Sequence, residues 1–190
     1  MNVLWTGFEP FGEHEYNPSW TVAQAAAERS KGRALELPVH YDVELEAGEW
    51  PDLICLLGLG ASRRHICLER RATNTIGQRP DNQGVVDEGA VEPEGPERRR
   101  TPLRTGSLLR ALEPRLKASK LPEARVSEDC GDYVCNALYF RILADGAAPT
   151  LFIHVPNLTG RKATRLGAIL GALMSGDAGR SILRGPEARQ

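Results

Sequence analysis

An unbroken apolar run, residues 53–57 (LICLL), is the sequence feature that most constrains how this chain can fold. It is followed by residues 58–60, which contain two glycines and end the regular structure. A strand without polar alternation has to be covered on both faces, as in a parallel sheet flanked by helices. Similar apolar strands are predicted at residues 2–6 and 151–155. We therefore expect a buried, mostly parallel sheet.

Helical patterns alternate with these strands. Asn17 followed by Pro18 is typical of a helix start, because asparagine caps the first turn and the φ angle of proline fits the first helical position. Helices are predicted at residues 18–31, 106–118, 132–144 and 159–175, and further strands at residues 34–39, 65–72 and 124–127. This alternation predicts an α/β domain with helices on both faces of the sheet.

Length and composition limit the function classes. A chain of 190 residues fits one domain, which we place at residues 1–175 with a polar C-terminal tail at 176–190. A net charge of -1 disfavours a nucleic-acid or anionic-membrane partner, because such binding needs a basic excess. No apolar run has the roughly 20 residues that cross a bilayer.

The four cysteines are Cys55, Cys67, Cys130 and Cys135, and none lies in a Cys-x-x-Cys pair or at zinc-ligand spacing. This spacing gives no sign of a zinc site, and we expect no cofactor. The first residues lack the pattern of a signal peptide, so free thiols in a reducing cytoplasm are the natural interpretation.

Residues 74–100 are rich in Gly, Pro and charged side chains and lack periodicity. We predict a long loop, and such loops are usually functional or mobile. The arginines at 98–100 stand beside glutamates, which favours a solvated loop over a nucleic-acid site. Residues 40–50 leave room for at most two helical turns.

Chemistry in such a fold is expected at the carboxyl ends of the strands. Cys135 lies near the start of a predicted helix, where unpaired N–H groups stabilise a thiolate and lower the pKa of the thiol. His154 ends an apolar strand and could activate that thiol. Glu69 is the best carboxylate to orient the imidazole. Alternatively, Cys135 is a packed thiol, His154 a core histidine, and Glu69 an exposed residue paired with a neighbouring arginine.

Phe8 and Phe11 lie three residues apart in a Gly/Pro-rich loop at the end of a strand. They could hold a flat apolar ring, or they could anchor the loop in the core. The other three cysteines are interpreted as packing residues.

Four groups of residues, in this order, carry a family resemblance. They are residues 6–12 (TGFEPFG) with 17–20 (NPSW), residues 68–74 (LERRATN) with 79–84 (RPDNQG), residues 131–136 (GDYVCN), and residues 152–156 (FIHVP). Together they span most of the chain and resemble the pyrrolidone-carboxylate peptidases, or pyroglutamyl-peptidases I.

The resemblance implies a cysteine peptidase that hydrolyses the amide bond after an N-terminal pyroglutamyl (5-oxoprolyl) residue, through a thioester. Position by position, Cys135 would be the nucleophile, His154 the general base and acid, and Glu69 the residue that orients His154. Phe8 and Phe11 would sandwich the lactam ring.

The resemblance further implies that Arg79 binds substrate near the active site. It implies a single-domain α/β/α sandwich with a mostly parallel, mixed central sheet. The family needs no metal and commonly forms homotetramers, so a homo-oligomer is expected. The sequence departs from the family pattern in its short segment 40–50 and in a residue missing between Arg79 and Pro80.

Two other functions stay open at this stage. The first is a catalytically inactive protein that binds pyroglutamyl groups on the same scaffold, suggested by the long loop at residues 74–100. The second, a nucleic-acid-handling α/β protein, depends only on fold class and the arginine run.

Overall fold

The structure is a computed structural model that describes residues 1–46 and 48–183. Its strands are β1 (Val3–Phe8), β2 (Arg33–Leu37), β3 (Leu53–Leu59), β4 (Ile66–Glu69), β5 (Arg71–Thr73), β6 (Arg98–Arg100), β7 (Ala124–Ser127) and β8 (Thr150–Val155). Its helices are α1 (Pro18–Ser30), α2 (Thr105–Ala118), α3 (Val134–Asp145), α4 (Gly160–Ser175) and α5 (Asp177–Leu183).

Six strands form the central sheet in the order β2-β1-β3-β8-β4-β7. Neighbouring strands run parallel except β4 and β8, which are antiparallel. The predicted single-domain α/β fold with a mostly parallel, mixed sheet is therefore confirmed. Strands β5 and β6 pair separately as a short antiparallel ribbon.

Side chains from each strand alternate between two apolar layers. Helices α1, α2, α4 and α5 cover the face that carries Trp5, Cys55 and Ile153. Helix α3 covers the opposite face, which carries Ile54 and Phe152. Every residue of β3 is buried, as its unbroken apolar run predicts.

The strand predicted at residues 65–72 is interrupted at Arg70. Its first part, β4, joins the central sheet, and its second part, β5, pairs with β6. The backbone of Arg70 bonds to Ser127 O and Thr101 N, at 2.8 and 3.0 Å, so the chain changes sheets without leaving these groups unpaired. The sequence predicts a continuous strand because no glycine or proline separates the two parts.

Three other segments differ from expectation. The long segment at residues 74–100 is not loop throughout, because its last three residues form β6. The described part of residues 40–50 forms turns and no helix. Residues 177–183 of the predicted tail form α5, which buries Ile182 against α2 and α4, while residues 184–190 lie outside the described residues.

Candidate active site

Cys135 is the second residue of α3, immediately after a tight turn. Gly131 holds a φ of 81°, which side chains other than glycine rarely adopt, and Asp129 Oδ1 accepts its N–H at 2.9 Å. Tyr133 is the N-cap residue, but its side chain does not cap the helix. The thiol therefore lies in the first turn of a helix, as the sequence predicts.

His154 stands near the end of β8 and is 3% exposed. Its Nε2 lies 3.4 Å from Cys135 Sγ, and its Nδ1 lies 2.8 Å from Glu69 Oε1. Because a carboxylate can only accept a hydrogen bond, this contact assigns a proton to Nδ1. The structure thus brings Cys135, His154 and Glu69 together in one chain of contacts.

The antiparallel pairing of β4 with β8 explains how Glu69 reaches the histidine. Glu69 pairs with Phe152, and Cys67 pairs with His154. Side chains two residues apart share a face, so Glu69 lies diagonally next to His154 on the α3 side of the sheet. Glu69 is 0% exposed, which excludes the alternative of a solvated strand residue.

The thiol and the imidazole perturb each other's proton affinity. Donation from the Cys130 thiol is the largest effect on Cys135, and together with the charge of His154 it outweighs burial and holds the pKa of Cys135 well below its usual value. Burial lowers the pKa of His154, but the Cys135 thiolate and the bonds to Cys135 and Glu69 raise it to about 9. Both shifts favour the thiolate–imidazolium form of the pair.

Cys130, which is interpreted from the sequence as a packing residue, lies next to Cys135 in the structure. It is 1% exposed and packs in the layer under α3. Cys135 Sγ lies 4.0 Å from the backbone O of Cys130. Burial raises the pKa of the Cys130 thiol well above its usual value, so this thiol stays protonated beside Cys135.

A small, partly open pocket lies beside Cys135. Its lining consists of Phe8, Phe11, Asn17, Val39, Gly58, Leu59, Tyr133, Val134 and Cys135. Phe8 is 4% exposed, while Phe11 is partly buried and has its ring centroid 5.8 Å from that of Tyr133. Both predicted phenylalanines thus face one small apolar space next to the thiol.

Arg79 lies at the outer edge of this region. Its Nη2 donates to Asp132 Oδ1 at 2.8 Å, and its guanidinium lies 4.5 Å from the Tyr133 ring centroid. Its side chain is 58% exposed. The structure therefore attaches Arg79 to the two residues that lie two and three positions before Cys135.

Two contacts were not foreseen from sequence. Arg63 reaches Glu69 Oε1 at 3.2 Å, and Tyr133 forms a wall of the pocket. Tyr133 stands in the nucleophile segment and could have been found from that position. Arg63 follows a strand end but lies outside the four groups of residues that carry the family resemblance. No local sequence feature therefore distinguishes it from Arg64.

The described ranges contain no group of three or more His, Cys, Asp or Glu side chains that could hold a metal ion. Among the helices of these same ranges, none is long and apolar enough to cross a membrane.

Comparisons with known proteins identify relatives of this chain. The family model for pyroglutamyl peptidases matches residues 1–173. A pyrrolidone-carboxylate peptidase of Thermococcus onnurineus is 35% identical over 172 residues, which cover 82% of this chain and 84% of that protein. The corresponding Pseudomonas fluorescens protein is 34% identical over 82% of this chain and 78% of its own length.

Solved structures of similar proteins share the fold of this chain. The crystal structure of pyrrolidone carboxyl peptidase from Thermus thermophilus superposes with a TM-score of 0.74 at 26% identity, covering 90% of this chain and 98% of that one. A sulfur, an imidazole and a carboxylate in contact beside a small apolar pocket thus occur on a scaffold that these proteins share. The chain belongs to the pyroglutamyl peptidase family.

Proposed function

We propose that this chain is a cysteine peptidase that hydrolyses the amide bond after an N-terminal pyroglutamyl residue of peptides. The observation that carries the proposal is the contact of His154 with both Cys135 and Glu69, at 3.4 and 2.8 Å. Family membership supports the same activity. Nothing in the described residues favours the inactive binding protein.

In the proposed reaction the Cys135 thiolate attacks the carbonyl carbon of the pyroglutamyl residue. His154 donates its Nε2 proton to the leaving amine, the C–N bond breaks, and a thioester to Cys135 remains. His154 then takes a proton from water, whose oxygen attacks the thioester carbonyl. Pyroglutamate leaves, and the thiolate and imidazolium are restored.

Substrate selection follows from the pocket. Pyroglutamate carries no α-ammonium group, so its recognition needs no buried carboxylate. A flat, uncharged lactam suits a small apolar space between Phe8 and Phe11, because aromatic faces pack well on planar rings. The lining residues support this choice, since none of them is charged at neutral pH apart from the Cys135 thiolate.

Arg79 is proposed to bind the substrate from the open side of the pocket. Its exposed guanidinium stands on Tyr133 and retains free N–H groups that a peptide carbonyl could use. We further propose a cytoplasmic enzyme that works as a homo-oligomer and needs neither metal nor cofactor.

The decisive test is an assay of amine release from a pyroglutamyl amide beside the matching prolyl amide. We expect turnover of the first compound only, because a prolyl group carries a charged secondary amine into an apolar pocket. Cys135→Ala should abolish turnover, and an active Cys135→Ala enzyme would refute the proposal. Turnover of neither compound, with tight binding of pyroglutamate, would favour the binding protein.

A further inference from the structure

Arg63 connects the catalytic carboxylate to two other segments of the chain. It lies in the turn after β3, and its Nη1 stands 3.2 Å from Glu69 Oε1. Its Nη2 donates to Asp129 O at 2.6 Å, and Nη1 also approaches Ser127 Oγ at 3.4 Å. The side chain is only 18% exposed. These contacts hold the guanidinium in one orientation, directed at Glu69.

Glu69 needs a cation that persists. Its side chain is 0% exposed, and a buried carboxylate is stable only when its charge is paired. His154 supplies that pairing only while it is an imidazolium. In the proposed reaction His154 becomes neutral when it gives its proton to the leaving amine, whereas a guanidinium remains charged throughout.

We propose that Arg63 is a positioning residue that shares Glu69 Oε1 with His154 and keeps this carboxylate charged and directed at Nδ1 through the whole catalytic cycle. The inference rests on the proposed peptidase activity of the same site. Arg63 lines no part of the apolar pocket, so it acts through Glu69 and not through the substrate.

Other titratable groups also face this carboxylate. Tyr139 donates to the backbone O of Glu69 at 3.0 Å, and burial raises the pKa of its hydroxyl well above the usual value. Cys67 lies within electrostatic reach of Arg63, and Cys130 and Cys135 lie within electrostatic reach of Glu69 or its partners. Tyr139 and Cys130 stay neutral because they are buried. Loss of the Arg63 charge should therefore change the proton affinities of Cys135 and His154.

The sign of the expected effect follows from charge alone. Without the guanidinium, the charge of Glu69 is offset by His154 alone, so Glu69 holds the proton of His154, and through it that of Cys135, more tightly, and both limbs of the kcat/KM profile should move to higher pH. His154 should also release its proton to the leaving group less readily, which lowers kcat. Because the pocket is untouched, KM should stay nearly constant.

The experiment compares Arg63→Met with Arg64→Met, which removes the same charge from an exposed neighbouring position. For Arg63→Met we expect kcat to fall about tenfold and KM to change by less than about twofold. Both limbs of the kcat/KM pH profile should move to higher pH by about one unit. The kcat/KM pH profiles of Arg63→Lys and of Arg64→Met should match that of the wild type. An Arg63→Met enzyme whose kcat/KM pH profile matches that of the wild type would overturn the proposal.

A second measurement separates this inference from the proposed activity and from a folding defect. The pH midpoint of Cys135 alkylation needs no substrate and can be compared in Glu69→Gln and Glu69→Gln/Arg63→Met, where no buried carboxylate is left unpaired. If Arg63 acts through Glu69, the two midpoints should agree. Midpoints that differ by about one pH unit would overturn the proposal. This outcome depends neither on the folding of the Arg63→Met single variant nor on cleavage of pyroglutamyl amides by the wild type.

Discussion

At the scale of single residues, the site depends on a thiol whose proton affinity is set by its neighbours. Cys135 stands at the N-terminus of a helix, 3.4 Å from an imidazole and beside a second thiol. Each neighbour favours the thiolate for a different reason: helix dipole, positive charge and hydrogen bonding. Cys130 is the unusual member of this set, because a neutral thiol is a weak donor that burial keeps protonated.

Cys130→Ala should raise the pKa of Cys135, because it removes the hydrogen bond that most favours the thiolate. The pH midpoint of Cys135 alkylation should move up by about one unit. Cys55→Ala is the matched control, since Cys55 is equally buried but lies under the opposite helix layer. An unchanged midpoint in Cys130→Ala would contradict a role for this thiol.

Phe11→Ala should raise KM for a pyroglutamyl amide about tenfold, because one aromatic wall of the pocket is lost. The change in kcat should be smaller, since the Cys135–His154 contact is not touched. Tyr16→Ala removes an exposed aromatic ring from the same loop and should leave KM unchanged. Equal effects of the two substitutions would argue against a ring-binding role of Phe11.

At the scale of elements, the close approach of β3 and β8 determines where the imidazole lies. Gly58 pairs with His154 across the two strands. A Cβ at Gly58 would stand 2.8 Å from Cζ of Phe152 and 3.5 Å from Cδ2 of His154. The glycine leaves room for the Phe152 ring, whose centroid lies 4.7 Å from that of the imidazole.

Gly58→Ala should lower both the free energy of unfolding and kcat. The added methyl overpacks the layer between two strands, which costs about 1–3 kcal/mol, and it displaces the ring that supports His154. Chemical denaturation and steady-state kinetics measure the two effects. Gly160→Ala is a suitable control, because its Cβ would meet nothing within 4 Å. Wild-type values of both quantities in Gly58→Ala would show that the ring adapts freely.

At the scale of the whole molecule, a few large apolar side chains among the described residues are exposed on the surface. Val85 and Val86 are 48% and 56% exposed, and they lie next to each other in the segment between β5 and β6. Adjacent exposed valines are a natural contact for a second copy of the chain. They offer a place to test the proposed homo-oligomer.

We expect light scattering after size exclusion to give a mass above the 20.8 kDa of one chain. Val86→Asp should reduce that mass, because a charge would be buried without a partner in the interface. Gln24→Asp adds the same charge at an exposed position of α1 and should leave the mass unchanged. A wild type that elutes as a monomer would refute the homo-oligomer.

Much of this structure was predictable because its signals are local. The apolar run of β3, the Asn17 cap of α1 and the exact bounds of β7 follow from composition over a few residues. Cys135, His154, Phe8 and Phe11 were selected as candidates in the same way, since each lies at or near a strand end or helix start. The helical end of the predicted tail was missed, because a short polar helix has no periodic signal of its own.

The sequence by itself determined the order of the main strands and helices and the candidate residues for the chemistry, but not β5, β6 or α5. Only the tertiary structure decided that β4 runs antiparallel beside β8, which brings Glu69 to His154 and Arg63 to Glu69. Strand order and direction depend on long-range packing of whole elements, so no local pattern encodes them. The same reason explains why Arg63 and Arg64 are alike in sequence while only Arg63 is directed into the site.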